Sequence, residues 1–275
     1  MKYLLILQIL IFFPGANLIA QSSNNNFKPK LKLVKEVIYS VENGELRSRD
    51  ELFASELCSY TVYDKNEAPL EIGKCHAKGD SYKKTIYVRD EKGNVQKAMM
   101  KNATGDLLSY WTYEYDSNGN MIEAKAYDAE NNLTKIQFNT YDENGNNTEI
   151  RVKNPSINIS ESNVYEYNSD NKKIKELRYK SDGSLRDTRV YTYDQNGNED
   201  TLIKFNPDGN YIKKVYEYDT MNNLILEKSY DKEGKLKRLT SFERVYDAYG
   251  NWITNKRSSQ GKLNMVYERL IEYDE

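Results

Sequence analysis

From about Tyr60 to the C-terminus, short stretches of alternating apolar and polar residues are interrupted at regular intervals by Asp, Asn and Gly. Alternation with a period of two is the pattern of a β-strand that covers one face and leaves the other to solvent. Tyr113 and Tyr115, Tyr165 and Tyr167, Tyr191 and Tyr193, and Tyr216 and Tyr218 each stand two apart and so share a face. Glu114, Glu166, Thr192 and Glu217 lie between them, on the opposite face. A second aromatic column is formed by Tyr127, Tyr179, Phe205 and Tyr230.

The interruptions have a period. Taking the Asp of Tyr113-Glu114-Tyr115-Asp116-Ser117-Asn118-Gly119-Asn120 as an anchor, equivalent positions are Asp64, Asp90, Asp116, Asp142, Asn168, Asp194, Asp219, Asp247 and, at the end, Asp274. Their spacing is 26 residues through Asp194, then 25, 28 and 27. A fixed period of this size is the signature of stacked supersecondary units.

Two turns recur in each unit. Three residues after the anchor stand Gly93, Gly119, Gly145, Asn171, Gly197, Asn222 and Gly250, with Glu67 as the exception. Gly and Asn tolerate a positive φ, and Asp at the first position with Gly at the fourth marks a type I turn closed by a glycine bulge. Asp116 with Gly119, Asp194 with Gly197, and Asp247 with Gly250 are the clearest structural turn pairs. The second turn falls fifteen residues after the anchor, at Gly79, Gly105, Asn131, Gly183, Gly209 and Gly234, with Gly261 one place early. Strand-length stretches of about eight residues separate the turns. The predicted fold is therefore all-β, an antiparallel meander of double-hairpin units of about 26 residues forming a long, curled sheet.

Some segments depart from the period. Leu31 to Val41 alternates imperfectly and is followed by Asn43-Gly44, a strong hairpin signal. Arg47 to Ser55 reads as an insertion, with a helical turn over Glu51 to Leu57 as one option. In the unit anchored at Asp142, Asn154-Pro155-Ser156-Ile157-Asn158 replaces the second turn, which predicts an irregularity at Pro155 and the best place for a feature distinct from the scaffold.

Residues 1–20 read as a signal peptide: Lys2, an apolar run from Leu4 to Phe13 broken only by Gln8, Pro14-Gly15, then Ala20-Gln21. The run is too short for a membrane anchor, so no stable membrane insertion is expected after cleavage. Residues 21–30, with Asn24, Asn25, Asn26 and Pro29, form a flexible leader, and residues 31–275 a single β-repeat domain. Lys and Arg number 40 against 42 Asp and Glu, with no basic stripe, so no nucleic-acid partner is expected. The 24 tyrosines supply the apolar bulk that disordered chains lack.

Export makes the two cysteines informative. With the first hairpin centred between Asn66 and Glu67, Cys58 and Cys75 stand opposite each other, which predicts a disulfide stapling the end of the array rather than two free thiols. Enzymatic chemistry is sparse. His76 is the only histidine, and its neighbour Cys75 points to the opposite face of a strand, so the two form no catalytic pair. No phosphate loop, serine elbow or Cys/His metal spacing is present, and no cofactor is expected. Carboxylates recur with the turns, which marks them as structural. Asp116, Asn118 and Asn120 offer oxygens to a calcium ion, but the loop lacks the glycine and bidentate Glu spacing of such sites. The tyrosine columns read as packing or as a stacking surface for sugars, and their placement in every unit favours packing.

The phrase Tyr-x-Tyr-Asp-x-x-Gly-Asn at Tyr113–Asn120 and Tyr191–Asn198, followed by Tyr-Asp-x-Glu-Gly-Lys-Leu at Tyr230–Leu236, resembles the YD repeats of the Rhs family over about Tyr60 to Glu275. The resemblance implies a strip of β-sheet that wraps into a shell, in some members around a toxin domain and in related shells serving surface adhesion. This chain has about eight copies and carries Asn94, Asn120, Asn146, Asn198 or Asn251 where the family has arginine. With no C-terminal effector domain expected after Asp274, encapsulation is not the expected role. The shorter Tyr-x-x-x-Gly-x-Leu element is also similar to MORN-like repeats. The expected function is an exported, non-enzymatic scaffold or interaction protein of the cell envelope, periplasmic or at the cell surface, with a protein or surface-glycan partner. The alternatives are a carbohydrate-binding module using exposed tyrosines and an enzyme with a site near Pro155.

Overall fold

The computed structural model describes residues 29–42, 45–46, 58–75, 81–155, 157 and 159–274. The signal segment, His76, Gly79 and the 47–55 insertion lie outside these residues. The first strands are β1 (Leu31–Glu42), β2 (Glu45–Leu46), β3 (Cys58–Tyr63), β4 (Pro69–Cys75), β5 (Ser81–Arg89) and β6 (Val95–Asn102). There follow β7 (Leu107–Tyr115), β8 (Met121–Asp128), β9 (Leu133–Tyr141), β10 (Asn147–Asn154), β11 (Ile159–Tyr167) and β12 (Lys173–Tyr179). The last are β13 (Leu185–Tyr193), β14 (Glu199–Phe205), β15 (Tyr211–Tyr218), β16 (Leu224–Tyr230), β17 (Leu236–Tyr246), β18 (Trp252–Ser259) and β19 (Lys262–Tyr273).

From β3 to β19 each strand pairs antiparallel with the next, as the double-hairpin pattern predicts. The sheet differs from the expected curled strip in having no free ends. Strand β1 pairs antiparallel with β19 on one side, from Leu31↔Tyr273 to Ser40↔Met265. On its other side it pairs with β3, from Leu33↔Val62 to Val37↔Cys58. The sheet is thereby a closed barrel, which removes the exposed edges that invite association with other chains. Strand β2 pairs with the end of β1, Glu42 opposite Glu45, as the hairpin signal there predicts.

The turns share one backbone design. In the first turn of each unit the anchor N–H bonds the carbonyl of the residue four on, as in Asp116 N to Asn120 O at 2.9 Å, and the fourth residue bonds back to the anchor, Gly119 N to Asp116 O at 3.1 Å. The anchor side chain completes the loop: Asp116 Oδ1 accepts from Asn118 N (2.9 Å) and Asn120 N (2.8 Å), and Oδ2 accepts from Asn120 Nδ2 (3.0 Å). Asp194 makes the same three bonds. Both oxygens are thus committed to the turn. The second turns use the same ring, as at Asn102–Asp106 and Asp128–Asn132.

Two turns differ from the sequence expectation. Glu67 is no exception in backbone, since it takes φ 60° like the glycines and asparagines at this position. Its carboxylate accepts the N–H of Leu31 at 2.9 Å, which ties the turn to the closing strand and accounts for a charged residue there. Gly261 is not a displaced copy of the second turn: Gln260 (φ 52°) and Gly261 (φ 77°) form a two-residue loop between Ser259 and Lys262. At the irregular unit, Asn154 pairs with Ile159 across a shorter loop that exposes Ile157.

Register assigns the faces. Trp111 lies opposite Ala98 and Ala126, and Tyr113 opposite Ala124, so the first tyrosine column sits over small residues on one face. Tyr110 and Tyr127 face each other on the other side, so the second aromatic column points the opposite way. Ala98, Ala124, Gln137, Glu176, Tyr191 and Thr240, all on the register of the first column, are buried, which marks it as the inner face, and that burial raises the Tyr113, Tyr165, Tyr191 and Tyr216 hydroxyl pKa values. A ring of this many strands is wide enough to enclose an aqueous interior. The apolar cluster of Val37, Tyr39, Val266, Cys58 and Cys75 belongs to the outward-facing register at the closure. Cys58 and Cys75 are directly opposed, 1% exposed and disulfide-bonded.

Candidate functional site

Most of the inner face repeats. The tyrosine just before each anchor donates to a backbone carbonyl of the preceding unit: Tyr115 to Val95 (2.9 Å), Tyr141 to Met121 (2.8 Å), Tyr167 to Asn147 (2.7 Å), Tyr193 to Lys173 (2.6 Å) and Tyr218 to Glu199 (2.9 Å). These carbonyls lie beyond the last backbone pair of each hairpin-to-hairpin ladder, for example past Lys175↔Val190, where a bulge has ended pairing. Arg89 does the same for Pro69 (3.1 Å) and Arg244 for Leu224 (2.6 Å). Because this bond occurs in unit after unit, it is part of the scaffold.

Against that background one patch is singular. On β12, β13 and β14 the inner face carries Glu176 and Asp187, whose side chains are 8% and 3% exposed. Eight residues after the anchor, where Glu176 stands, other units carry Ile72, Ala98, Ala124, Ile150 and Leu202, with Glu227 as the second acid and Asn255 in the last unit. Glu176 accepts the Tyr191 hydroxyl at 2.8 Å and lies 3.4 Å from Lys173 and 3.8 Å from Arg189. Asp187 lies 3.2 Å from Arg189, 3.5 Å from Arg178 and 3.7 Å from Lys204. Lys173 also sits over the rings of Tyr191 (4.6 Å) and Tyr165 (5.3 Å). Four cations surround two carboxylates, leaving a positive local balance in a partly desolvated setting where charge acts strongly. Burial, then the bond to Glu176, raises the Tyr191 hydroxyl pKa. Arg189, although burial opposes its charge, is held more firmly protonated by Glu176.

A second polar patch lies on the inner face near the closure. Arg269 stacks on Trp252, 3.4 Å from the ring centre, and donates to Glu36 on β1 at 2.9 Å. Beside it Arg257, Arg244, Asn255 and Thr240 share the inner register of β17 and β18.

The residues singled out by sequence therefore divide. Asp116, Gly119, Asp194, Gly197, Asp247 and Gly250 serve turns, with Asp247 also receiving the Tyr273 hydroxyl. Cys58 and Cys75 form the staple. Neither inner polar patch was anticipated. The available signal was the replacement of Ala, Ile or Leu by Glu at positions 176 and 227, visible once the units are aligned. Among the described residues, no group of three or more His, Cys, Asp or Glu is arranged to hold a metal ion.

No protein-family model and no curated protein matches the chain. Among solved structures it is similar to a Photorhabdus luminescens Tc holotoxin pore, at 11% identity and a TM-score of 0.42, with 85% of this chain matching 14% of that one. It is also similar to a porin-like protein from Bacteroides uniformis (9% identity, TM-score 0.46, 88% of this chain and 96% of that one). A porin-like protein from Bacteroides vulgatus matches at 11% identity and a TM-score of 0.38, over 90% of this chain and 99% of that one.

Proposed function

We propose that the protein is an exported, non-enzymatic interaction protein of the cell envelope whose binding surface is the inner face of the barrel. The observation that carries this reading is the uneven distribution of non-repeating chemistry. The outer face repeats cross-strand ion pairs, such as Lys84–Glu71 (3.0 Å) and Lys175–Glu166 (2.9 Å), and the ends repeat Asp-opened turns. The inner face instead changes from unit to unit: eight residues after the anchor it carries Ala98 and Ala124 but Glu176 and Glu227, and ten after it Met100 and Ala126 but Arg178, Lys204 and Arg257. The outer charges also favour a barrel working in water, because a basic residue facing lipid at mid-bilayer costs about 2–4 kcal/mol.

The glycan reading is weaker on the outer face. Tyr110 is stacked on Tyr127 at 4.8 Å, and Lys97 sits 4.1 Å above the Tyr110 ring, so that ring is already engaged. The two tryptophans of the chain, Trp111 and Trp252, both belong to the inner register. They report directly on the interior. A panel of envelope glycans, peptides and anionic amphiphiles titrated against tryptophan emission is expected to yield a saturable change with at least one class. Turnover of any panel member would overturn the reading. So would a bound partner whose cross-links map only to outer-face lysines such as Lys84 and Lys175.

A further inference from the structure

We propose that the inner face of β17 to β19 holds a binding site for one anionic group, a carboxylate or a phosphate, anchored by Arg257; this rests on the reading of the interior as the binding surface. Arg178, Arg189 and Arg269 on the same face each lie against a carboxylate. Arg257 does not. Its Nη1 lies 3.8 Å from the Met265 sulfur, and its Nε is buried with no hydrogen-bond partner. Arg244 opposes Asn255 in the register, donates to the Leu224 carbonyl and lies over Phe242, and its charge also acts on Asp219 at the turn. The acids on the flanking inner positions are already engaged: Glu227 by Lys214 at 2.8 Å and Glu36 by Arg269.

Unmet hydrogen-bonding capacity gathers at the same place. Thr240, two pairs along from Phe242↔Arg257 and so on the same inner register, is 1% exposed, and its hydroxyl has no partner among the described residues. Asn255, two pairs along on the other side, has an Oδ1 without a partner among the described residues. Buried polar groups without partners are rare and destabilising, and the Arg257 cation, with no carboxylate partner among the described residues, adds to the imbalance. An anion answers all of these features: a guanidinium binds a carboxylate or phosphate through two parallel bonds, the Thr240 hydroxyl donates a third, and the Asn255 amide presents its NH2 when rotated. Phe242, Met265 and Tyr267 occupy neighbouring inner positions and form an apolar flank for the rest of the ligand.

The test is calorimetric titration of the full mature chain at low ionic strength with inorganic phosphate and, separately, with monomeric decanoate, with Trp252 emission followed in parallel. Binding of at least one probe is expected, weakened tenfold or more in Arg257→Gln and severalfold in Thr240→Val. Arg257→Lys is expected to retain part of the affinity. Arg151→Gln, an outer-face control paired with Glu149, is expected to match the wild type. Decanoate binding without phosphate binding identifies an amphiphile headgroup as the source, while binding of both shows that the free anion suffices. Absence of binding by both probes overturns the site, as does equal affinity in wild type and Arg257→Gln. If Arg257→Gln fails to fold by circular dichroism, unchanged affinity in both Arg257→Lys and Thr240→Val overturns it instead. A tryptophan response to other ligands that survives in these variants leaves the interior reading standing while removing this site.

Discussion

The hydroxyl of Tyr193 donates to the carbonyl oxygen of Lys173 at 2.6 Å, joining β13 to β12 just beyond the point where their backbone ladder stops. A phenol here does the work of a missing N–H. Tyr193→Phe keeps the ring and leaves the carbonyl unmet, so it is expected to cost about 1 kcal/mol, with a fall in Tm of about 2–4 °C for a domain of this size. Tyr141→Phe, two units away, is expected to add independently. Thermal melts of the single and double variants check both points; no change in Tm would show that the bond is incidental.

Gly119 has φ +85° and open space where a Cβ would go, so substitution there isolates backbone strain from clash. Gly119→Ala is expected to destabilise by about 1–2 kcal/mol. Gly119→Asn is expected to cost much less, because Asn171 and Asn222 hold the same position at φ 58° and 62°. Urea unfolding of both variants gives the comparison, and equal losses would remove the left-handed geometry as the reason for Gly and Asn in these loops.

The anchors confer acid sensitivity. Hydrogen bonds from the Asn side chain four residues on, and from loop N–H groups, hold Asp116 and Asp194 below the ordinary carboxylate range, with burial opposing. A depressed folded pKa contributes stability that is fully present above the unfolded value, about 3.9, and is lost as pH falls through the folded one. Midpoints of urea unfolding are therefore expected to be flat from pH 7 to 5 and to fall steeply below pH 4. Asp194→Asn should flatten that slope slightly, and an unchanged slope would count against the turns as its source.

The inner tyrosines predict the alkaline limit. Burial, with smaller contributions from neighbouring Tyr165 and Asp142, pushes the Tyr167 hydroxyl up to about 12, and burial with the bond to Asp247 does the same for Tyr273. A raised folded pKa means that the contribution is intact below about 10, the unfolded value, and disappears as pH climbs through the folded one. Absorbance titration near 295 nm is expected to show one class of tyrosine ionising near pH 10 and another ionising only as the far-ultraviolet circular dichroism collapses. A single titration near 10 would place the first column in solvent.

Reducing the Cys58–Cys75 bond, which spans 17 residues, is expected to cost about 3 kcal/mol, and its burial should make reduction slow without denaturant. Because β3 is the strand against which β1 closes, hydrogen exchange at β1 should accelerate more than exchange at β9.

The repeat made most of the fold legible. Asp at the head of a turn and Gly three residues on are local demands, so they could be read from Asp116 and Gly119 alone, and tyrosines two apart fixed the strand faces. Closure could not be read, because Glu36 and Arg269 meet across 233 residues and β1 carries neither anchor nor turn glycine. Glu67 looks irregular in sequence for a related reason: it holds the positive φ of this turn while its carboxylate contacts Leu31, outside its own loop. The polar patches escaped because Glu176, Asp187 and Arg257 are ordinary strand residues until register places them together.

Closure by β1 has an arithmetic consequence. The meander from β3 to β19 contains an odd number of strands, so its first and last run in the same direction and could meet only in parallel. A single extra strand, antiparallel to both, makes the count even. Duplication or loss of one whole unit changes the count by two and keeps that parity. Barrels of other girths are thus reachable in steps of about 26 residues without redesigning the seam, whereas a gain of half a unit would turn it into a mismatched joint.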